Sequence, residues 1–518
     1  MRSAAVVAGG ALLVGALTAI VFLIRAGGDP AGADTWPISW ELRSSDNGVL
    51  FQVIQDIAAG RPLDWSFSPQ VYVFPELPLS GVAFAVSAGN VYGYYLAVAA
   101  LNMAVLFLCA LALVRVLWPE HALGTSVLRA LLGTVPLLVL PLIGTSWILS
   151  FHLAPSYYFG EYAALLLAPV LLLARTLPVR ILTGAALALT IASNPLTLVF
   201  AAPGALAALV VGILRAGPRA VLRPVGWVAG TLLLAAAARL VFAPLQGISP
   251  LSYIDPDRFA GRLAVLWPYY AFQLRDPAAA VVLILGALLA VGCLLAAIAA
   301  AVLVVRRRGG APARRLLAVV YLGLIPLGGI AATFFAMITH YYYFWPALVL
   351  PYVLVLLAVP MPAVSPALLG GLAGIVVIAL ATGAIPHLGS AGRYFGYRNA
   401  ETACIDDALA GGSAVGYATF SDARRLSLTS RTPFRLIQLN TDGTAHEWLT
   451  NTAYARTDAG SFFYLNGSGD EPALDTARIR ERFGDPDRVV ACSATQEVWL
   501  YEDAGKLARI SAFYRGRA

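Results

Sequence analysis

The chain has 518 residues, of which 59% are hydrophobic and only 12% are charged. Soluble globular proteins carry about 25% charged residues, so this composition excludes a soluble enzyme, a disordered chain and a DNA-binding protein. The net charge of +7 is explained by where the arginines lie along the chain, and it does not require a nucleic-acid partner. The sequence predicts a polytopic α-helical membrane protein, because runs of about 20 apolar residues cross a bilayer as helices.

Apolar runs between helix-breaking residues predict about eleven membrane spans. The runs cover residues 4–24, 91–118, 127–150, 161–174, 181–192, 196–214, 225–242, 278–305, 316–338, 344–359 and 366–385. The first run is longer than the core of a secretory signal, so we expect an uncleaved anchor. Residues 1–388 then form a transmembrane domain whose first outer loop covers residues 26–90.

The distribution of charge predicts the orientation of these spans. With the N-terminus in the cytoplasm, arginines concentrate in the inner connectors, at positions such as Arg115, Arg175 and Arg306, as the positive-inside rule requires. Of the 28 acidic residues, only Glu120 falls on an inner connector. Together with the alanine-rich and arginine-rich composition, this predicts a multi-pass protein of a bacterial cytoplasmic membrane with its large polar segments outside.

The tail, residues 389–518, is long enough to form an extracytoplasmic domain. Period-two patterns predict strands at 414–420, 434–439, 461–465, 488–493 and 497–501, and helices are predicted at 401–409 and 473–483. A small α/β domain follows from these elements. We expect Cys404 and Cys492 to form a disulfide there, because oxidising compartments favour such bonds, with two free thiols as the alternative. The bridge would contribute roughly 4 kcal/mol to stability.

The first outer loop contains a short amphipathic helix that begins near Val49 and ends at Gly60. Its apolar face suits the surface of a membrane, and Ser45 or Asp46 is placed to cap its N-terminus. Asp56 lies on its polar face, where we expect a solvated or packing residue. A stretch rich in proline and aromatic residues, from Ser68 to Pro78, leads to a second short apolar helix.

This layout resembles the GT-C fold, a class of polytopic glycosyltransferases that use polyprenyl-phosphate-linked sugars. The resemblance covers the overall order of spans and loops, and its motifs lie within about 45 residues of the first outer loop. Members of the class often have an acidic pair in this loop, whereas this chain has Asp46-Asn47. The resemblance therefore implies that Asp46 is the general base that removes the acceptor proton. A simple helix cap is the alternative role for Asp46.

The resemblance also implies cationic ligands for a phosphate leaving group at the outer surface. Arg258 and Arg262, one helical turn apart, are candidates for one phosphate, and Arg239 is a third, because an arginine within a span needs a partner or water. Solvated or outward-reaching side chains are the alternative for all three.

Further substrate-binding candidates lie at the outer mouths of the bundle. The segment Thr339–Pro346 contains His340 and Tyr341, and its aromatic residues fit either an interfacial belt or sugar stacking. The segment Phe151–Tyr162 contains His152 and Glu161, which are candidates for lining the same cavity. Glu76, between two prolines at the membrane edge, is also a candidate.

The function predicted from these residues is sugar transfer from a polyprenyl-phosphate donor to a lipid, cell-wall glycan or protein at the outer face. No cofactor or metal is expected, because no Walker loop, GxGxxG, HExxH or cysteine and histidine cluster occurs in the sequence. A lipid or glycan transporter or flippase is the alternative, although an acidic residue at mid-span and an internal repeat are both absent from the sequence. A third hypothesis is an assembly protein whose C-terminal tail binds a partner protein.

Overall fold

The computed structural model describes residues 2–27, 45–143, 147–155, 158–247, 270–306, 313–336, 341–358, 400–409, 414–432, 434–456, 460–467 and 473–515, with a few isolated positions between them. Within this part of the chain seven helical segments are long and apolar enough to cross a membrane. They cover Ser3–Arg25, Val91–Leu117, Leu123–Leu142, Leu196–Ala216, Val221–Leu245, Pro277–Arg306 and Arg315–Thr333.

The helices of the N-terminal part are numbered here in chain order. They are α1 (Arg2–Gly27), α2 (Val49–Ala58), α3 (Glu76–Val86), α4 (Val91–Leu117), α5 (Leu123–Val139), α6 (Phe159–Leu173), α7 (Leu177–Ser193), α8 (Leu196–Ala216), α9 (Pro218–Phe242), α10 (Pro277–Arg306), α11 (Ala313–Ala336), α12 (Trp345–Leu348) and α13 (Leu350–Ala358).

Seven long apolar helices agree with the membrane-protein prediction, whereas the count of about eleven spans is not reproduced. The runs predicted at 161–174 and 181–192 form α6 and α7, which are apolar but shorter than a typical span. The run at 344–359 is divided into α12 and α13. The run at 366–385 lies outside the described residues.

Glycines allow close packing within one part of the bundle. A Cβ atom at Gly328 of α11 would lie 2.2 Å from the carbonyl oxygen of Phe200 on α8, and one at Gly204 of α8 would lie 2.4 Å from that of Tyr321. Small residues let apolar helices approach each other where no hydrophobic force drives association. In contrast, a Cβ atom at Gly226 or Gly230 of α9 would have no neighbouring atom within 4 Å among the described residues.

The C-terminal residues 400–515, called the C-terminal lobe here, form a five-stranded sheet with helices on both faces. The helices are α14 (Ala400–Leu409), α15 (Phe420–Thr429), α16 (Thr476–Phe483) and α17 (Ala504–Arg515). The strands, with β1 (Trp65–Ser66) in the first outer loop, are β2 (Ala414–Thr419), β3 (Phe434–Leu439), β4 (Thr450–Asn451), β5 (Gly460–Asn466), β6 (Arg488–Ala491) and β7 (Gln496–Tyr501).

The strand order in the sheet is β3-β2-β5-β7-β6, with β2 parallel to β3 and β5, and β7 antiparallel to β5 and β6. Alternate residues of a strand point to opposite faces, so Phe462 packs in a core with Ile405 of α14, whereas Phe463 packs in another with Ile479 of α16. The five predicted strands and the two predicted helices are confirmed to within a few residues. Helices α15 and α17 were not predicted.

Cys404 and Cys492 form a disulfide, as predicted, with Cα atoms 5.6 Å apart. The bond joins α14 to the residue that follows β6. The other two cysteines, Cys109 and Cys293, are buried and free.

Candidate functional site

The loop between β1 and α3 is fixed to the C-terminal end of α7. The backbone N–H of Val71 donates a hydrogen bond to the carbonyl oxygen of Ser193 at 2.9 Å, and that of Phe74 donates to the Ser193 hydroxyl at 2.8 Å. Asn194 caps the next turn, because its side chain accepts from the N–H of Leu196 at 3.1 Å. Neither of these loop contacts was predicted from the sequence.

Arg239, predicted as a phosphate ligand, holds the same loop. Its guanidinium donates to the carbonyl oxygen of Pro69 at 2.7 Å and to that of Ala192 on α7 at 2.8 Å. Two of its donors are therefore used for backbone carbonyls. The arrangement makes Arg239 a positioning residue for the loop that carries Gln70 and Tyr72.

A chain of polar side chains crosses from this loop into the bundle. The Tyr72 hydroxyl donates to Gln70 Oε1 at 2.9 Å, Gln70 Nε2 donates to the Tyr158 hydroxyl at 3.1 Å, and that hydroxyl donates to the one of Tyr343 at 3.2 Å. Tyr72 and Tyr158 both have positive φ angles, of 51° and 54°. Such angles are uncommon for tyrosine and occur mostly where surrounding contacts hold the backbone, often at functional sites.

Three acidic residues from different segments lie close enough to Tyr72 for their charges to act on its hydroxyl, and we call Asp46, Glu76 and Glu161 the carboxylate cluster. Burial of Tyr72, followed by the nearby charges of Asp46, Glu161 and Glu76, raises the pKa of its hydroxyl well above the usual value. The hydroxyl is therefore protonated at neutral pH and serves as a hydrogen-bond donor. The structure brings together three candidates that lie up to 115 residues apart in the sequence.

Glu76 lies in the first turn of α3 and is 5% exposed. Its Oε1 accepts a hydrogen bond from the backbone N–H of Gly160 at 2.8 Å. Burial outweighs this hydrogen bond and raises the pKa of Glu76 to about 7. A Cβ at Gly160 would lie 2.7 Å from Pro75 and 2.9 Å from Glu76 Oε1, so only glycine fits between α3 and α6 at this point.

Buried polar atoms without hydrogen-bond partners occur on Glu161 of the cluster and on two aromatic residues, Tyr162 and Trp345. Each side chain is at most 1% exposed. Within the described residues, neither oxygen of Glu161 nor the Tyr162 hydroxyl nor Trp345 Nε1 has a hydrogen-bond partner. The rings of Tyr162 and Trp345 stack with centroids 3.8 Å apart. Native proteins rarely leave buried polar groups unsatisfied, so these atoms favour a ligand-binding role.

His152, a candidate for lining the cavity, is fully buried. Its Nε2 is 2.7 Å from the carbonyl oxygen of Leu137, and its ring centre is 5.8 Å from that of Trp345. Burial lowers the pKa of His152 to about 4, so the ring is neutral at physiological pH. A neutral ring that donates to a carbonyl orients its neighbours without attracting an anion.

Asp46 lies on a single 3-10 turn, Ser45–Gly48, that precedes α2. Gly48 occupies the N-cap position of α2 and makes no side-chain capping hydrogen bond. The N-cap residue is therefore neither Ser45 nor Asp46, the two residues considered for that position. A Cβ at Gly48 would lie within 2.9 Å of Arg424 from the C-terminal lobe, so this lobe packs directly on the turn that carries Asp46.

Asp56 is the residue whose surroundings differ most from the prediction. It is fully buried, and its carboxylate accepts from Trp65 Nε1 at 3.2 Å, Asn451 Nδ2 at 2.9 Å and the Tyr454 hydroxyl at 2.6 Å, with Arg61 at 3.1 Å. The polar face of α2 therefore packs on the C-terminal lobe, and strands β1 and β4 pair antiparallel beside it. A solvated position for Asp56 is wrong, and a packing role is confirmed.

Four candidates cannot be placed. Arg258, Arg262 and His340 lie outside the described residues. The backbone of Tyr341 begins the 3-10 turn Tyr341–Phe344, but its side chain lies outside what the structure describes. Within the described residues, no group of three or more His, Cys, Asp or Glu side chains is arranged to hold a metal ion.

Gln70, Tyr72 and Tyr162 were not predicted as site residues, and an aromatic belt was one of two interpretations of the segment that contains Trp345. Trp345 is fully buried, so it does not lie in such a belt. Tyr158 and Tyr162 are four residues apart in an aromatic segment, but Tyr158 precedes α6 in a left-handed conformation, so a helical spacing could not have placed them on one face. No protein-family model matches this chain, and no curated protein matches it either.

Proposed function

We propose that this protein is a membrane glycosyltransferase that moves a sugar from a polyprenyl-phosphate donor to a lipid, cell-wall glycan or protein acceptor. The observation that carries the proposal is the carboxylate cluster, in which Glu161 is buried without a hydrogen-bond partner among the described residues. Its neighbour in the sequence, Tyr162, stacks on Trp345. A sugar has hydroxyl groups that pair with carboxylates and an apolar ring face that packs on aromatic side chains.

The proposed reaction needs a base and gives a phosphate as its leaving group. The acceptor oxygen forms a bond to the anomeric carbon of the donor sugar, and its proton passes to the Asp46 carboxylate. The bond from that carbon to the donor phosphate oxygen breaks, and the lipid phosphate departs with the electron pair. Asp46 is assigned the base because it lies on an irregular turn at the edge of the cluster and is less buried than Glu76 and Glu161.

Glu76, Glu161 and Tyr72 are proposed to bind the sugar. Carboxylates accept hydrogen bonds from sugar hydroxyls, and the Tyr72 hydroxyl, whose own proton is donated to Gln70, accepts one as well. A pKa of about 7 for Glu76 allows it to be neutral next to Glu161, which reduces repulsion of the donor phosphate. Arg258 and Arg262 remain the proposed phosphate ligands.

Topology is part of the same proposal. The Cys404–Cys492 disulfide supports an oxidising location for the C-terminal lobe, and the arginine distribution supports a cytoplasmic N-terminus. The cluster would then lie at the outer face of a bacterial cytoplasmic membrane. Helices α6 and α7, with the segments at 344–359 and 366–385, would add to the seven long helices to give about eleven crossings.

The test compares Asp46→Asn with Asp64→Asn in cells that depend on this protein for an envelope glycan. Asp64 is an exposed carboxylate in the same loop, so its variant controls for charge and folding. We expect Asp46→Asn to lower the glycan about 100-fold or more at normal protein level, with little change for Asp64→Asn. Unchanged glycan in both variants would remove Asp46 from the mechanism.

The unsatisfied Glu161 also favours one alternative, a proton-coupled transporter, because such proteins use buried carboxylates. An assay of the purified protein in lipid vesicles distinguishes the transporter from the glycosyltransferase. A transporter moves polyprenyl-phosphate sugar across the vesicle membrane and leaves it intact. A glycosyltransferase releases polyprenyl phosphate when an acceptor is added.

A further inference from the structure

A second site lies at the other end of α6 from the carboxylate cluster. Glu161 is in the first turn of α6 and Leu173 is its last residue, which places them about 18 Å apart along a helix with a rise of 1.5 Å per residue. At the far end, a cavity of about 680 Å³ is lined by Arg115, Arg175 and Arg315. This feature, called the basic cavity here, has no part in the proposed sugar transfer.

The arginines of the basic cavity differ in what they already contact. Arg315 pairs with Glu120, which also lines the cavity, and its guanidinium lies 4.2 Å from the centre of the Trp118 ring. Arg115 donates to the carbonyl oxygen of His121 at 2.7 Å. Arg175 is exposed and makes no hydrogen bond or ion pair within the described part of the chain. Glu120 offsets one positive charge, so the cavity has an excess suited to a phosphate.

The rest of the cavity lining is apolar, and an apolar groove adjoins it. Val116, Val170 and Leu173 line the basic cavity, and Leu173 also lines a groove of about 250 Å³ between α6, α8, α9 and α11. A free phosphate or nucleotide would not need this apolar surface. A lipid has both parts, because its headgroup is anionic and its chains are apolar.

The apolar groove contains one polar group. Tyr321 lines the groove, is 1% exposed, and its hydroxyl has no hydrogen-bond partner among the described residues. The ester carbonyl of a glycerophospholipid is an acceptor for such a hydroxyl. A polyprenyl chain carries no such group, so Tyr321 favours a glycerophospholipid.

We propose that the basic cavity and the apolar groove together bind one anionic glycerophospholipid, with its phosphate at Arg115 and Arg175 and an acyl chain along the groove. Bound lipid would link α4, α6, α8 and α11 at this end of the bundle. The proposal requires that the long apolar helices lie in a membrane, and it is independent of the chemistry proposed at the carboxylate cluster.

The experiment measures lipid retention by native mass spectrometry on the full-length protein purified in detergent. Phosphatidylglycerol is compared with phosphatidylcholine of identical chains. We expect the protein to retain phosphatidylglycerol in preference to phosphatidylcholine. The double variant Arg115→Gln/Arg175→Gln should bind phosphatidylglycerol about 30-fold more weakly, because each arginine near an anionic lipid contributes about 1 kcal/mol of binding free energy, or about fivefold in affinity. Arg219→Gln/Arg223→Gln is the matched control, because both residues are exposed on α9 and neither lines the cavity.

Two further variants keep the test independent of folding. Arg175→Gln alone changes an exposed connector residue and should weaken retention about fivefold. Tyr321→Phe keeps every arginine and should weaken it by a similar factor through one lost hydrogen bond. Equal retention of both lipids, equal loss in the control pair, or displacement of the lipid by millimolar inorganic phosphate would overturn the proposal.

Discussion

Asp56 and Glu161 are both acidic side chains with almost no exposed surface, but they lie in two regions that differ in the hydrogen-bond partners they provide. Where the first outer loop meets the C-terminal lobe, Asp56 accepts hydrogen bonds from the side chains of Arg61, Trp65, Asn451 and Tyr454. In the carboxylate cluster, Glu161 has no such partner among the described residues. Burial alone does not identify a functional residue, and the state of its hydrogen bonds separates a structural carboxylate from a candidate ligand-binding one.

The first and largest prediction concerns the satisfied carboxylate. Asp56→Ala leaves several buried donors and Arg61 without their acceptor, and breaking a buried charged network costs about 3–5 kcal/mol. We expect a large fall in the thermal unfolding midpoint and rapid proteolytic release of the C-terminal lobe. The exposed Asp64→Ala serves as the control, and a variant of Asp56 as stable as the wild type would show that this network does not hold the lobe.

The second prediction concerns the unsatisfied carboxylate. Glu161→Gln replaces a buried carboxyl group that has no partner among the described residues with an amide of the same size that cannot ionise, so we expect a thermal midpoint equal to or higher than that of the wild type. Sugar transfer should nevertheless fall about 100-fold, equivalent to about 2.7 kcal/mol in the barrier. The two measurements are made on the same purified protein. Normal sugar transfer with reduced stability would show that Glu161 has a structural role like that of Asp56 and does not bind the substrate.

The third prediction disturbs the geometry of the cluster while keeping every charge. Gly160→Ala inserts a methyl group 2.9 Å from Glu76 Oε1 and 2.7 Å from Pro75, and overpacking of this kind costs about 1–3 kcal/mol. We expect transfer to fall about tenfold. Gly124→Ala on α5 is the matched control, because nothing among the described residues lies within 4 Å of its Cβ position. A similar loss in both variants would mean that glycine itself, and not the contact with Glu76, is responsible.

The fourth and smallest prediction is a pH dependence. The pKa of Glu76 is raised from 4.5 to about 7 by burial, so the folded protein holds this proton more tightly than the unfolded chain does. This contribution to stability is complete below about pH 4.5 and is lost as pH rises to about 7. In Glu76→Gln the thermal midpoint should fall less over that interval. Parallel curves for the two proteins would show that Glu76 does not titrate there.

Local patterns in the sequence predicted a large part of the fold. The period-two segments of the tail became β2, β3, β5, β6 and β7, and the long apolar runs within the described residues became helices. Helix α15 was missed because its core residues, Ala423 and Leu426, are a short signal within a polar segment in which Asp422 and Arg425 pair with each other. Helix α7 was predicted, but its role in anchoring the loop before α3 was not.

Only part of the candidate site could be predicted from local sequence patterns. Asp46 in the first outer loop, Glu76 at the membrane edge and Glu161 at an outer mouth were each singled out, but nothing in the sequence placed all three near Tyr72. An interfacial belt was one of two interpretations of the segment with Trp345, because aromatic residues are common at span ends, whereas packing against Tyr162 buries this residue. The hydrogen-bond partners of Asp56 could not be predicted from the sequence either, because Asn451 is 395 residues away along the chain.

By itself, the sequence determined the apolar helices, the strands of the C-terminal lobe and the cysteines available for a bridge, because hydrophobic periodicity and composition act over windows of about 10–20 residues. Only the tertiary structure decided that Asp56 is satisfied by the lobe and that Glu161 is left without a partner among the described residues. The physical reason is that a hydrogen bond across hundreds of residues depends on how whole helices and sheets pack. No local pattern carries that information.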